Sequence, residues 1–383
     1  MVPPPTVPLT AATPDVVPLS QPFINSREVE LVTEVLRSGQ LSMGPMLDRF
    51  EELFARFVGT RHAVAVSSGT AGLHLACSTA GFGVGDEVIT SPFSFAASAN
   101  VARSTGSTVT FADIDPHTLG LDPAAVAHAV TSRTRGIIPV DVFGWPADMD
   151  SLSVISATHG LAMVQDAREA LGATSQGRMV GTAAGVPAVF AFHADKQITT
   201  GEGGMLVTDD DDLAARWRSI IDQGRAETGR PLEHGDLGYN IRLSDLASAL
   251  GVAQLEKLPR MLALRREIAS EYTRGLAGVE GITTPRPDGD GNVRSWFVYW
   301  VVLDEGLDRD EVRAQLTERG IETTPYLSSM HLQPSFRELG YRAGMFPVAE
   351  SISARSLALP FFPQMSPHQQ DRVIGALRDV LRA

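Results

Sequence analysis

The chain is 383 residues long, 43% hydrophobic and 20% charged, enough apolar material for one large domain with a smaller companion. Its formal charge of −13 argues against nucleic acid or an anionic membrane as a partner, since either needs a basic face, but leaves room for phosphorylated small molecules. The single cysteine, Cys77, excludes an intramolecular disulfide, and its apolar helical setting reads as a buried structural thiol in a reducing cytoplasm. No apolar run is long enough to span a bilayer, and Met1-Val2-Pro3-Pro4-Pro5 lacks the basic start and apolar core of a signal peptide, so the expected localisation is cytoplasmic.

Residues 1–17, rich in Pro, Thr and Ala without periodicity, predict a disordered or loosely attached arm. Apolar spacing then predicts helices over Glu28 to Arg37 and Met46 to Val58. From His62 onward short β-branched runs alternate with helical stretches. Strands are expected at His62 to Ser67, Glu87 to Ser91, Thr108 to Ile114, Gly136 to Phe143, Leu161 to Gln165 and Pro187 to Phe192. Helices are expected from Gly69, over Ser94 to Ser104, Pro123 to Val130 and Met149 to Thr158. This alternation predicts an α/β fold, a mostly parallel central sheet flanked by helices, with ligands gathered at the carboxyl ends of the strands. The glycine-bearing loop Gln223 to Leu237 reads as a segment that reaches a neighbouring subunit or the site. Helical spacing resumes at Leu246 and continues past Pro259 to Leu276, which suggests a large domain over 18–258 and a smaller C-terminal α+β domain over 259–383. In that second part a strand is expected at Trp296 to Leu303, a helix at Arg309 to Arg319, a short strand at Glu322 to Tyr326 and a last helix at Gln369 to Leu381.

Lys196 lies between the apolar run ending at Phe192 and the turn Thr200-Gly201-Glu202-Gly203-Gly204. An amine held on rigid backbone in a low-dielectric crevice attacks carbonyls to form a Schiff base; alone, the same lysine reads equally as a surface residue on a hairpin. Ser68, Gly69, Thr70 and Ala71 follow a strand and open a helix, where backbone N–H groups and the Thr70 hydroxyl suit a phosphate; the alternative is a tight turn capped by Thr70. Asp166 ends a strand, placed either to pair with a protonated ring nitrogen or to cap the next helix, and Lys196 follows about 30 residues later, a spacing compatible with neighbouring strand ends. Phe95 offers a stacking face or is a core phenylalanine. A phosphate cradle, a carboxylate and a Schiff-base lysine are what pyridoxal 5′-phosphate (PLP) requires.

Four segments in this order carry a family likeness: Ser67 to Leu73, Asp166 to Gly172, His193 to Gly204 and Gly238 to Asp245. They resemble the successive motifs of the DegT/DnrJ/StrS sugar aminotransferase family, and the likeness runs from about Pro18 to the C-terminus, taking in Pro146 to Asp150 and His331 to Pro334. The resemblance implies the fold of type I PLP-dependent transferases and transfer of an amino group from glutamate or glutamine to a nucleotide-linked keto sugar. A cyclitol or other cyclic ketone as acceptor, and a non-catalytic regulatory protein of the same fold, are the alternatives. By resemblance Lys196 carries PLP as a Schiff base and moves the proton, Asp166 meets the pyridine nitrogen, and Glu169 sits at the ring's phenolic side. Gly69, Thr70 and Ala71 bind phosphate, Phe95 stacks on the ring, and Asn240 reaches the phosphate from the partner of a homodimer. Relatives that dehydrate instead have histidine for the lysine, so Lys196 favours transamination.

One departure stands out: relatives commonly have a serine five residues before the lysine, where this chain has Ala191. If nothing replaces that hydroxyl the phosphate loses a hydrogen bond worth roughly 0.5–1.5 kcal/mol. His193 packs at the cofactor edge or is structural. Tyr326, Ser328, Ser329 and His331 lie in a loop that approaches the sugar nucleotide in relatives. Arg242 fits the carboxylate of an amino donor bidentately, or pairs with Asp245 or another acid. The histidines show no metal-ligand spacing, so no catalytic metal is expected.

Overall fold

The computed structural model describes residues 16–225 and 233–382. The first helix, Ser26–Ser38, opens on Asn25 with a capping box to Glu28 and closes on Gly39 at φ 74°. The second, Pro45–Val58, begins on a proline at its first turn and ends at Gly59, φ 92°. Both lie against the long helix Asp245–Gly275.

Strands alternate with helices as expected, in two four-stranded ladders. One is wholly parallel: Thr108–Phe111, Glu87–Thr90, Thr134–Ile138 and Ala162–Met163. The other runs His62–Val66, Gly204–Thr208, Ala188–Ala191 and Gln165–Asp166. The chain at 162–166 joins them, because Val164 N–H donates to Ile137 and Asp166 N–H to Pro139 across the seam. Only Gly204–Thr208 is reversed, antiparallel to both neighbours. Helices cover both faces of this mostly parallel sheet.

The segment that carries the lysine is anchored from behind by aromatic packing. Phe192 meets Phe50 and Phe54 at centroid distances of 5.3 and 5.5 Å, and Phe190 meets Phe54 at 5.2 Å. All four rings are buried, and such edge-on pairs fix orientation as well as area.

Several expectations shift. Val17, assigned to a loose arm, is fully buried and bonds to Gly320 and Glu322, because its side chain completes the C-terminal core; residues 1–15 lie outside the described residues. The division at 258/259 falls inside one helix. Leu258 and Met261 are buried on either side of Pro259, and their packing holds the helix through it. Partners change further along: Met261 belongs to the core beneath the first helices, Ile268 and Tyr272 to the C-terminal one. The strand expected at Glu322 to Tyr326 is a single bridge, Thr324 to Ala358, and Ser356–Leu359 is the strand that pairs with Tyr299–Leu303. In the loop Gln223 to Leu237, residues 226–232 lie outside the described residues. Its two ends are joined by the Arg225–His234 bridge, and a Cβ on Gly238 would fall 1.8 Å from Gly224 N.

Candidate active site

Lys196 stands in a closed turn. Phe192 N–H donates to Gly203 at 2.9 Å and Thr200 N–H to Phe192 at 3.0 Å, pinning its ends. The side chain is 13% exposed, its Nζ 3.6 Å from Glu169 Oε1 and 3.8 Å from the centre of the Phe297 ring. Adjacent Asp195 receives a hydrogen bond from the Tyr326 hydroxyl. Burial would raise Asp195, but the Lys196 charge and the Tyr326 hydrogen bond hold it below the usual carboxylate range. Burial, with the Asp195 charge added to it, pushes the Tyr326 phenol up.

Glu169 is held on its other oxygen by Phe143 N–H at 2.9 Å. That amide is aimed by a left-handed pair, Phe143 at φ 54° and Gly144 at φ 81°. Burial leaves the Glu169 carboxyl above its ordinary range although the Lys196 charge opposes it. Asp166, 1% exposed, lies at the end of Gln165–Asp166 beside Ala188–Ala191, the neighbouring strand ends that the Lys196 spacing predicted. Its Oδ2 accepts from Ser98 Oγ at 2.6 Å, and Arg168 chelates both oxygens through Nε and Nη2 at 2.7 Å each. Burial alone would raise Asp166; the Arg168 charge and these hydrogen bonds win and hold it low.

The turn before Gly69–Thr79 is capped by Ser68, not Thr70: Ser68 Oγ accepts from Ala71 N–H at 3.1 Å. Ala71's donor is thereby committed, while the Thr70 side chain is exposed. Gly204 lets this turn touch the lysine hairpin, since a Cβ there would lie 2.7 Å from Gly69 N and 2.8 Å from Ser68 C. Backbone cannot yield as a side chain does, so Gly204→Ala is expected to cost about 1–3 kcal/mol, read from urea denaturation.

A cavity of about 480 Å³ opens between these pieces, lined by Ser68, Gly69, Thr70, Phe95, Arg168, Glu169, Ala191, His193, Lys196 and Tyr326 among others. Phe95 is 60% exposed at its edge and is not a core residue. The donor set fits PLP: a helix-opening turn for phosphate, an aromatic face, a lysine amine beside a carboxylate, and a buried acid for the ring nitrogen. Arg168 is the one group in the way, on Asp166.

Other expected residues lie elsewhere. His331 is fully buried, its Nε2 2.9 Å from Glu350 and its ring against Phe346 and Phe111, a structural histidine rather than a substrate contact. Ser328 is exposed and receives a hydrogen bond from Gln333, away from the cavity. Arg242 is paired with Asp222, not Asp245, which instead accepts from Leu47 N–H. Asn240 is exposed, bridged to Asp222, and does not line its own chain's cavity. Among the described residues no cluster of His, Cys, Asp or Glu is arranged to hold a metal ion. The sequence reading passed over Ser98, Arg168, Asp195 and Phe297. The one local signal was Ser98, a helical turn after Phe95 on a segment already assigned to the site.

Asp141, buried behind Asp166, accepts from Ala147 N–H at 2.7 Å and from Gln165 Nε2. Burial pushes its carboxyl up to about 8. A folded value above the unfolded one, about 4, stabilises fully below pH 4 and is lost as pH rises through 8. Asp141→Asn keeps the acceptor oxygen and does not titrate. Wild-type stability is therefore expected to fall relative to this variant between about pH 4 and 8, as paired melting curves would read.

Sheet order and the lysine hairpin together place the protein in a class, the PLP-dependent aminotransferases of fold type I. Residues 22–378 match the model of the DegT/DnrJ/EryC1/StrS aminotransferase family, and the chain belongs to that family. It is 40% identical over 379 residues to the spore coat polysaccharide biosynthesis protein SpsC of Bacillus subtilis (strain 168), covering 95% of this chain and 97% of that protein. The fold superposes on S. venezuelae DesV, solved in complex with a reaction intermediate, with TM-score 0.90, 34% identity, and 96% and 99% of the two chains covered. It also matches a PLP form of Spr1654 from Streptococcus pneumoniae, described as a sugar aminotransferase, with TM-score 0.90, 26% identity, and 96% and 99% coverage. No helix among the described residues is long and apolar enough to cross a membrane.

Proposed function

We propose that this aminotransferase moves the amino group of glutamate or glutamine onto a keto sugar carried by a nucleotide, in the synthesis of an amino sugar for a polysaccharide. The observation that carries the reading is Lys196 facing the cavity 3.6 Å from Glu169, between the Gly69–Thr70 turn and Phe95. The relatives named for a sugar aminotransferase and for polysaccharide synthesis supply the substrate class.

PLP, when bound, supplies an exchangeable carbonyl and an electron-accepting ring. Lys196 would hold that carbonyl carbon and, once released, move the proton at the substrate carbon. Its Nζ lies beside Glu169 Oε1 and over the Phe297 ring face, which fix its position in the cavity. Gly69 and Thr70 N–H groups would hold the cofactor's phosphate at the helix N-terminus, and Phe95 would offer an aromatic face to the ring. Asp166 would take the ring nitrogen and keep its proton in place, and Glu169 would meet the phenolic oxygen. Asn240 serves the cavity of a second copy, which makes the working unit a cytoplasmic homodimer. Tyr326, at the cavity wall, faces the substrate.

Half-reactions test this. The pyridoxamine form, made with glutamate, is mixed separately with keto-sugar nucleotides and with cyclitol ketones while the visible band is followed. Return of the band with a keto-sugar nucleotide supports the reading; return with cyclitol ketones alone replaces the substrate, and no loss of the band with glutamate or glutamine overturns the donor.

A further inference from the structure

We propose that Arg168 competes with the cofactor's pyridine nitrogen for the Asp166 carboxylate, and that this competition sets how tightly the protein holds PLP. The inference rests on the proposed role of Asp166. Its first support is the count of acceptor positions. A carboxylate offers about four lone-pair sites. On Asp166, Oδ1 accepts from Arg168 Nε at 2.7 Å and Arg168 N–H at 3.3 Å, and Oδ2 from Ser98 Oγ at 2.6 Å and Arg168 Nη2 at 2.7 Å. All are in use, and two belong to a planar fork whose bidentate grip is the strong form of this contact.

The second support is position. Arg168 lines the cavity, and Asp166, whose two oxygens its guanidinium grips, does not, so a ring in the cavity meets Arg168 on its way to the carboxylate. Its stem is held against the turn: a Cβ on Gly69 would fall 2.8 Å from Arg168 Cδ and 2.6 Å from the Ala191 methyl. A ring nitrogen reaching Asp166 must take at least one oxygen from the fork. Ser98 Oγ donates to Oδ2 at 2.6 Å and itself accepts from Arg168 Nη2 at 3.2 Å, so it is a second hold on the carboxylate that remains when the fork yields an oxygen. Arg168 is thus a positioning residue, acting on the cofactor through Asp166.

A residue that merely supported the fold would weaken cofactor binding when removed; a competitor strengthens it. Arg168→Met keeps the stem against Gly69 and removes the fork; Arg168→Lys keeps the charge but cannot span both oxygens. PLP dissociation constants are measured on cofactor-stripped wild type and variants by tryptophan fluorescence, with the rise in Tm on loading as a second readout. Pyridoxal, which lacks the phosphate, is titrated in parallel.

Arg168→Met is expected to bind both compounds about tenfold more tightly, the scale of one charge-assisted hydrogen bond no longer displaced. Arg168→Lys is expected to gain less, and it carries the test if the methionine variant does not fold. Because the unpaired Asp166 lowers stability without cofactor, the Tm rise on loading is expected to exceed that of wild type. Unchanged or weaker binding overturns the proposal, and a loss confined to PLP would put Arg168 at the phosphate instead; a gain that pyridoxal does not share overturns it too, because the competition is at the ring nitrogen, which both compounds carry. Wild type that fails to bind PLP overturns the proposed function and this inference together, whereas wild-type binding without a gain in the variants overturns this inference alone.

Discussion

Lys196→Ala is expected to reduce aminotransfer by at least about 10³-fold, the upper part of the range for a lost proton carrier, with the nucleophile lost as well. The visible band of the purified protein should vanish with it. Stability should change little, because Glu169, already above the ordinary carboxylate range, can take a proton when its cation is gone. Lys196→Arg separates charge from chemistry. It retains a cation beside Glu169 and the Phe297 ring yet offers no nucleophilic amine, so it should be as inactive as the alanine variant. Steady-state rates with glutamate as donor check both, and wild-type turnover by either variant would remove Lys196 from the reaction.

Asp166→Ala is expected to lose both stability and activity. With its chelating carboxylate removed, Arg168, its side chain 11% exposed, loses its ion-pair partner, the situation that costs about 3–5 kcal/mol. The pair's contribution follows from the low folded value of Asp166: it is present above about pH 4 and lost as pH falls through the folded value. Urea denaturation at pH 7 reads the loss. Asp166→Ala together with Arg168→Met should recover part of that stability, since the stranded charge is gone, without recovering activity. Loss of activity with stability unchanged would mean that the pair has no structural weight.

Most of the fold was legible because its signal is local. Short β-branched runs alternate with amphipathic stretches, and the first helices carry their own caps at Asn25, Gly39, Pro45 and Gly59. The sequence reading had no counterpart for Gly204–Thr208. That strand's reversed direction depends on pairing with Ala188–Ala191 and His62–Val66, which no local pattern records. Lys196, Asp166 and the Ser68–Thr70 turn were legible for one shared reason: each follows a strand, where an open α/β sheet collects ligands. Arg168 was not, although it stands two residues from Asp166, because its role depends on a rotamer that folds the fork back over the carboxylate. Ser98 and Phe297 reach the site from distant parts of the chain. His331 sits in a segment that resembled a substrate loop, but its place was decided by the buried contacts with Phe346, Phe111 and Glu350.

The central claim, that the cavity beside Glu169 is a PLP site carried by Lys196, is tested most directly by trapping the attachment. Holoenzyme is reduced with borohydride, digested, and its peptides are mapped by mass. The account predicts a pyridoxyl group on Lys196 and on no other residue, absent when glutamate is added before reduction. Label on another lysine, or none in protein that shows the visible band, would contradict it.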